Sequence, residues 1–443
     1  MKKKFLNFLC CPTCNSDLDL NSYEISNEKV KTGKLVCKSQ RCNQVYKIKN
    51  FIPRFVDSPK YADSFGKQWN LFAKTQLDNN LLNESELRWN SEIGWDKNDL
   101  QDKTIIEFGS GAGRFIDVVS KKGVELAVGI DVTSAVDAAQ ESFKDRKNVF
   151  FIQADVFNPP IKRNNFDFGY SIGVLHHTPD PEKAFRVLVS LLNKDGQVGL
   201  SLYEISLFER PNRNTVKQSL LELLWAINLL RVEFFRLFTT KLPNKLMINY
   251  CLYFVPILHY LNKVPVIRYL RYLFPSTCYR NMPVDWSMCD TYDSYATEIC
   301  HMYRHKDIFL WFMKSNIQKI IVHNSIPGWV SLTGFISSNE EKNLIILTSI
   351  GRIFKFDLSN KFLTATTKQS KGLILAKLLP NEKVVSCCPS KNGENIYLVS
   401  RQGKIFCLNN NDIYYANEYC LGYLNEKTQL KNDYFIKILP SNH

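Results

Sequence analysis

Between about residues 61 and 202 the chain alternates short apolar runs with longer stretches whose apolar residues recur at helical spacing. The short runs are Thr104–Phe108, Glu125–Ile130, Val149–Ile152, Phe166–Ser171 and Gln197–Leu202. Runs this short and this apolar predict strands buried on both faces. Helical stretches between them predict crossovers, so the expectation is an α/β domain built on a parallel sheet.

The pattern differs on either side. Residues 1–57 carry a cysteine cluster and β-rich patterning, and end at the linker Val56-Asp57-Ser58-Pro59-Lys60. Residues 203–280 are apolar and basic with helical periodicity, and 281–336 read as a return to the α/β domain. Beyond residue 339 short strands alternate with turns, and a repeat is visible: Leu344–Phe354 lines up with Ile396–Phe406, with Gly351 and Gly403 lying 52 residues apart. Each copy predicts a hairpin with a tight glycine turn, and a period near 50 residues suits propeller-type blades. The expected layout is therefore three parts: 1–57, 58–336 with a helical insert at 203–280, and 339–443.

Composition narrows the classes. With 45% hydrophobic and 23% charged residues in 443, wholesale disorder is excluded, because enough apolar surface exists to offset ordering entropy. The net charge of +14 favours acidic partners such as nucleic acid or an anionic surface without choosing among them. The apolar run after Met1-Lys2-Lys3-Lys4 is too short for a secretory leader. Thirteen cysteines without such a leader predict reduced thiols and a cytoplasmic location.

Four of those thiols have metal-ligand spacing. Cys11-x₂-Cys14 and Cys37-x₄-Cys42 can close a tetrahedral zinc site on two tight turns, and four thiolates leave no open position, so the zinc is expected to be structural. Cys10 reads as a bystander. With Tyr46-x-Ile48 and Ile52-Pro53, this segment resembles the small zinc-ribbon module that accompanies or activates methyltransferases.

Candidate chemistry is densest after the first strand of the α/β domain. Glu107-Phe-Gly109-Ser-Gly111-Ala-Gly113 places glycines where a backbone must turn tightly and approach a ligand. Asp131 ends the next strand, where a carboxylate can accept both hydroxyls of a ribose, and Asp155-Val156 follows the third, within reach of an adenine amino group. No Gly-Lys-Ser/Thr is present to hold a triphosphate. Asn158-Pro159-Pro160 is similar to the motif of amino-directed DNA methyltransferases, but it precedes the fourth strand instead of ending it.

The glycine loop, its acidic strand ends and the segment Phe166–His177 resemble the class I S-adenosylmethionine-dependent methyltransferases over residues 100–202. That resemblance implies a Rossmann-like seven-stranded sheet. It also implies S-adenosylmethionine bound by Glu107, Gly109, Gly111, Gly113, Asp131, Asp155 and Val156. His176 and His177 follow the fourth strand at the ligand-binding edge, where a histidine can take a proton from a nucleophile. Residues 290–316 resemble the closing region of the same family.

The insert decides the expected acceptor. Residues 203–280 hold 11 Lys and Arg against 4 Glu, interleaved with bulky apolar residues. Its longest uncharged run, Leu246–Asn262, is broken by Pro256 and falls short of a membrane span. A lid over the site and an amphipathic face for an anionic membrane both suit this composition. The expectation is methyl transfer to a small-molecule or lipid-linked acceptor, with peripheral membrane contact through 203–280. RNA or protein methylation is one alternative, and an inactive methyltransferase fold serving as a nucleic-acid-binding module is another. The stretch from Ser349 through Ser386 resembles the repeated blades found at the C-terminal end of DNA gyrase A. Gln369-Ser370-Lys371-Gly372 would be a shortened form of their basic box, which implies a small gyrase-A-like β-domain and nucleic-acid contact through 339–443.

Overall fold

A computed structural model of the chain describes residues 1–26, 28–57, 63–79, 82–205, 216–323, 328–336, 343–348, 352–357, 384–390, 395–400, 405–409, 423–424 and 435–440. Two compact units are present: Met1–Ile308 with His323–Leu332, and Phe309–Val322 with Thr333–His443.

The first unit is organised by one sheet. Its strands are β1 (Leu18–Ser26), β2 (Lys29–Cys37), β3 (Val45–Lys49), β4 (Ile52–Arg54), β5 (Thr104–Phe108), β6 (Leu126–Asp131), β7 (Val149–Gln153), β8 (Phe166–Ile172) and β9 (Leu192–Tyr203). They lie in the order β1-β2-β3-β4-β7-β6-β5-β8-β9. The five strands expected from the apolar runs are β5 to β9, and β5 pairs in parallel with both β6 and β8. Nearly every residue of β5, β6 and β7 is buried, as a parallel sheet covered on both faces requires. The covering core gathers Trp89, Ile93, Trp95, Phe115, Phe143 and Phe151 against Ile105, Ala127, Phe168 and Tyr170.

The sheet is larger than the expected seven strands, because the cysteine-bearing ribbon is not a separate body. β4 pairs in parallel with β7 through Arg54 and Gln153. Arg54 donates to Gln153 Oε1 at 2.6 Å and ion-pairs with Asp137, and Phe5 stacks on Phe150 with centroids 4.4 Å apart. The ribbon thereby covers what would otherwise be an open sheet edge.

The insert is helical as expected. A long helix, Val216–Thr239, is followed by Asn244–Asn249, a wider π-turn at Tyr250–Phe254, Val255–Leu261, and a 3₁₀ segment at Ile267–Leu273. Pro256 sits in the first turn of Val255–Leu261, where its missing N–H leaves no bond unmade, and the π-turn before it absorbs the mismatch. Met247, Cys251, Val255 and Leu258 pack on Tyr292, Tyr295 and Ala296 of the helix Val284–Ala296. Among the described residues no helix is long and apolar enough to cross a membrane.

The second unit contains β10 (Ile317–Val322) and, from Thr333, the end of β11 (Trp329–Ile336) with the described residues after it. Its later strands are β12 (Asn343–Thr348), β13 (Arg352–Asp357), β14 (Val384–Ser390), β15 (Asn395–Ser400), β16 (Ile405–Asn409), β17 (Tyr423–Leu424) and β18 (Phe435–Pro440). They form two small sheets, β14-β12-β13-β17 and β16-β15-β18. The internal repeat is visible in both. β12 with β13, and β15 with β16, make antiparallel hairpins. The first strand of each hairpin takes a further antiparallel neighbour on its other side, β14 or β18. Each of these outer pairings carries a register shift at the same place, Leu347/Thr348 and Val399/Ser400, again 52 residues apart. The turn glycines Gly351 and Gly403, and residues 358–383 of the stretch Ser349–Ser386 that carried the likeness to gyrase blades, lie outside the described residues.

Candidate functional site

The glycine loop joins β5 to the helix Arg114–Ser120 at the carboxyl end of the parallel sheet. Gly109, Gly111 and Gly113 have φ of +77°, +50° and +90°, a region open to glycine at little cost. The space is also closed: a Cβ on Gly109 would overlap Val174 Cγ1, and one on Gly113 would lie 2.5 Å from Phe143 Cε2. Trp69 comes over the middle of the loop, its indole nitrogen 3.2 Å from where a Gly111 Cβ would stand.

This loop floors a cavity of about 550 Å³. Glu107, Gly109, Gly111, Asp131, Asp155 and Val156 all line it, as does His177. Gly113 lies just behind, as the left-handed cap of the helix. Asp131 is held in place by three donors: Gly111 N–H to Oδ2 at 2.9 Å, and Thr133 N–H and Oγ1–H to Oδ1 at 2.8 and 2.7 Å. Burial raises its pKa above the ordinary carboxylate value. Glu107 accepts from Tyr170 Oη at 3.1 Å, yet burial, with Asp131 adding repulsion, pushes its pKa well up. Asp155 Oδ1 accepts from Phe157 N–H, which fixes the turn after β7.

The two histidines separate in role. His177 reaches the cavity wall; its Nδ1 lies 2.7 Å from the Ile299 carbonyl and so carries the proton, which leaves Nε2 as a lone-pair acceptor. Burial pushes its pKa down to about 4, so it is neutral at physiological pH. His176 is fully buried against Tyr203, ring centroids 4.0 Å apart, and does not line the cavity.

The opposite wall comes from residues far away in sequence. Trp286, Asp290 and Asp293 project from one face of the helix Val284–Ala296, at i, i+4 and i+7. Tyr279 Oη donates to Asp290 Oδ2 at 2.6 Å and Gln76 Nε2 donates to Oδ1 at 2.9 Å. Gln76 in turn accepts from Arg114 at 3.0 Å. Burial pushes Asp290 up to about 6 and lowers Arg114 to about 10. Arg88 lies 3.8 Å over the Trp329 ring and donates to Glu92 at 2.7 Å. Asn228, Leu229 and Val232 of the long insert helix also line the cavity.

Among the described residues, seven carboxyl groups and two guanidinium groups line this cavity. That balance suits a cationic ligand carrying hydroxyls and an amino group, which is the chemistry of a nucleoside sulfonium. Trp69, Arg88, Tyr279 and Trp286 belong to no motif visible in the sequence. For Trp286 the helical spacing to Asp290 and Asp293 is the one available signal.

A second cluster lies in the ribbon. The Sγ atoms of Cys11, Cys14, Cys37 and Cys42 are all within 4.8 Å of one another, with Cys11–Cys42 at 3.7 Å and Cys14–Cys37 at 3.4 Å. A tetrahedral zinc with bonds of about 2.3 Å needs sulfurs roughly 3.8 Å apart, so the set fits a structural zinc. Cys10 is outside it: its backbone N–H bonds to the Pro160 carbonyl.

These features define a methyltransferase domain of the S-adenosylmethionine-dependent kind. Residues 106–200 match the family described as "Methyltransferase domain", and residues 2–50 match the family described as "Trm112p-like protein". Among curated proteins, the chain is 27% identical over 128 residues to the tRNA U34 carboxymethyltransferase of Ruthia magnifica subsp. Calyptogena magnifica, covering 27% of this chain and 40% of that one. It is 31% identical over 121 residues to the protein of the same name from Campylobacter hominis, covering 25% of this chain and 42% of that one. The chain thus spans about two-fifths of the length of the curated relatives it matches. A solved S-adenosylmethionine-dependent methyltransferase from Aquifex aeolicus is similar at 13% identity and TM-score 0.33, covering 61% of this chain and 98% of that one.

Proposed function

We propose that this chain transfers the methyl group of S-adenosylmethionine to RNA. The observation that carries the transfer chemistry is the meeting of Glu107, Asp131 and Asp155 around the glycine loop in one acid-rich cavity. Asp131 would receive the ribose hydroxyls, Asp155 the adenine amino group, and the backbone of Gly109–Gly111 the amino-acid portion. S-adenosylmethionine held there would supply a methyl group activated by its positively charged sulfur.

The chain's own residues position and exclude. The insert helix and Trp329 line the cavity, and in-line placement of donor and acceptor would supply most of the rate. His177 Nε2 stands ready to accept the proton that the nucleophile sheds as its new bond to carbon forms. The ribbon, whose four cysteines would hold a structural zinc, buttresses the edge of the sheet at β7.

The acceptor expected from the insert's composition, a small molecule or lipid-linked compound reached by peripheral membrane contact, is withdrawn. The curated relatives are named as tRNA-modifying enzymes, and residues 2–50 match a Trm112p-like family, both of which favour the RNA alternative. The physical reason for the error is that basic residues among bulky apolar ones attract phosphate whether it belongs to a lipid or to a nucleic acid. Tritiated methyl transfer to total RNA tests the reading: label should enter RNA and be released by ribonuclease. Label recovered in protein or lipid instead would overturn the acceptor assignment.

A further inference from the structure

The insert ends in an arginine–tyrosine repeat that lies outside the methyl-donor cavity. Arg268-Tyr269-Leu270-Arg271-Tyr272-Leu273 occupies the 3₁₀ segment Ile267–Leu273. A 3₁₀ helix has three residues per turn, so residues three apart eclipse. The sequence period equals the helix period, and each residue type takes one face. Tyr269 and Tyr272 stack with ring centroids 6.5 Å apart at 25°, and both are exposed, at 57% and 40%. Arg268 and Arg271 each lie over the neighbouring ring, 4.8 and 4.7 Å from the Tyr269 and Tyr272 centroids.

This segment borders a second cavity, of about 660 Å³. Arg231, Arg268, Arg271 and Arg280 line it, and among the described residues no carboxylate does. Their hydrogen-bond partners are neutral. Arg231 donates to the carbonyls of Phe274 and Ser276 and to Tyr295 Oη; Arg271 donates to the Cys278 carbonyl at 2.6 Å; Arg280 donates to the Asn262 carbonyl. Four guanidinium groups thus converge without a counter-charge among the described residues. Asn228, Val232, Thr277 and Tyr279 line both this cavity and the one holding the glycine loop, so the two adjoin.

We propose that this arginine–tyrosine ledge is the acceptor-strand site: it takes single-stranded RNA, with phosphates in the arginine-lined cavity and bases on the exposed tyrosine stack, and leads one nucleotide over the shared wall to the methyl donor. Guanidinium groups without carboxylate partners attract phosphodiesters, and stacked exposed aromatics hold unpaired bases with little regard to sequence. The ledge deepens the RNA reading and rests on it for the identity of the strand.

The test measures binding of a labelled oligouridylate to the full chain by fluorescence anisotropy between about 50 and 200 mM salt. Each phosphate contact on a single strand contributes about 0.7 to the slope of log K against log salt. Arg268→Gln/Arg271→Gln should lower that slope by about 1.4, and Arg268→Lys/Arg271→Lys should restore it. Tyr269→Ala/Tyr272→Ala should weaken binding by at least about thirtyfold with the slope unchanged. Unchanged S-adenosylmethionine affinity in each variant shows that the fold is intact. If wild type methylates RNA and the glutamine variant keeps the same slope and KM, the ledge is wrong and the RNA reading stands. If the slope falls as expected but RNA is not methylated, the ledge is an RNA-binding surface only, and both its role as the acceptor-strand site and the RNA acceptor reading are overturned. Adsorption to anionic vesicles through these arginines, without oligouridylate binding, would overturn the ledge as an RNA site.

Discussion

Asp131→Ala separates the two jobs that the structure gives this carboxylate. Within the protein it accepts from Gly111 N–H, Thr133 N–H and Thr133 Oγ1–H. Its removal leaves two backbone donors to find other acceptors. Because they line a cavity, water can reach them, and the buried charge, disfavoured enough to raise the pKa, is lost as well. These effects oppose each other, so the stability loss should be about 1–2 kcal/mol. Cofactor affinity should respond more strongly. Two charge-assisted hydrogen bonds to ribose hydroxyls, at roughly 1.5–3 kcal/mol each, imply a Kd at least about a hundredfold weaker. Titration calorimetry with S-adenosylmethionine gives the Kd, and urea unfolding gives the stability. An unchanged Kd would refute the ribose assignment, and a collapse of stability with little change in Kd would make Asp131 a structural residue.

Cys37→Ser should abolish the zinc content, measured by elemental analysis as about one ion per wild-type chain, and lower the melting temperature, because a structural zinc contributes directly to folding. His177, held neutral with its pKa pushed down to about 4, binds fewer protons folded than unfolded between about pH 4 and 6.5, so stability falls as pH drops through that window. Its share is about 2 kcal/mol at pH 5, and His177→Gln should reduce the pH 7 to pH 5 difference in urea-unfolding free energy by that amount. Gly109→Ala combines a left-handed φ of +77° with an overlap on Val174 and should cost roughly 2–5 kcal/mol by urea unfolding, while adding Val174→Ala should recover the part due to the clash.

Much of the fold was legible because burial leaves a local trace. The five apolar runs became β5 to β9, and the hairpin repeat appeared with its register shift at the same offset. The acidic strand ends met because each follows a strand of the same parallel sheet. The ribbon's attachment was not legible: it rests on contacts between distant segments, the β4–β7 pairing of Arg54 with Gln153, Phe5 on Phe150 and Cys10 N–H to the Pro160 carbonyl, and Ile52-Pro53-Arg54 carries no sign of its neighbour. The far wall was hidden for a similar reason. Trp69 and Arg88 come from helices Asp63–Leu71 and Glu84–Glu92, and only the tertiary fold brings Trp69 over the glycine loop and Arg88 over Trp329 in the cavity wall. The acceptor was misread because composition registers phosphate affinity without saying which molecule carries the phosphate.

Methyl transfer to RNA is the deciding experiment. Purified chain incubated with methyl-tritiated S-adenosylmethionine and total RNA should transfer label to ribonuclease-sensitive material. The Asp131→Ala protein should transfer far less under the same subsaturating cofactor. Absence of ribonuclease-sensitive label with folded, zinc-loaded, cofactor-binding protein would show that RNA is not the acceptor.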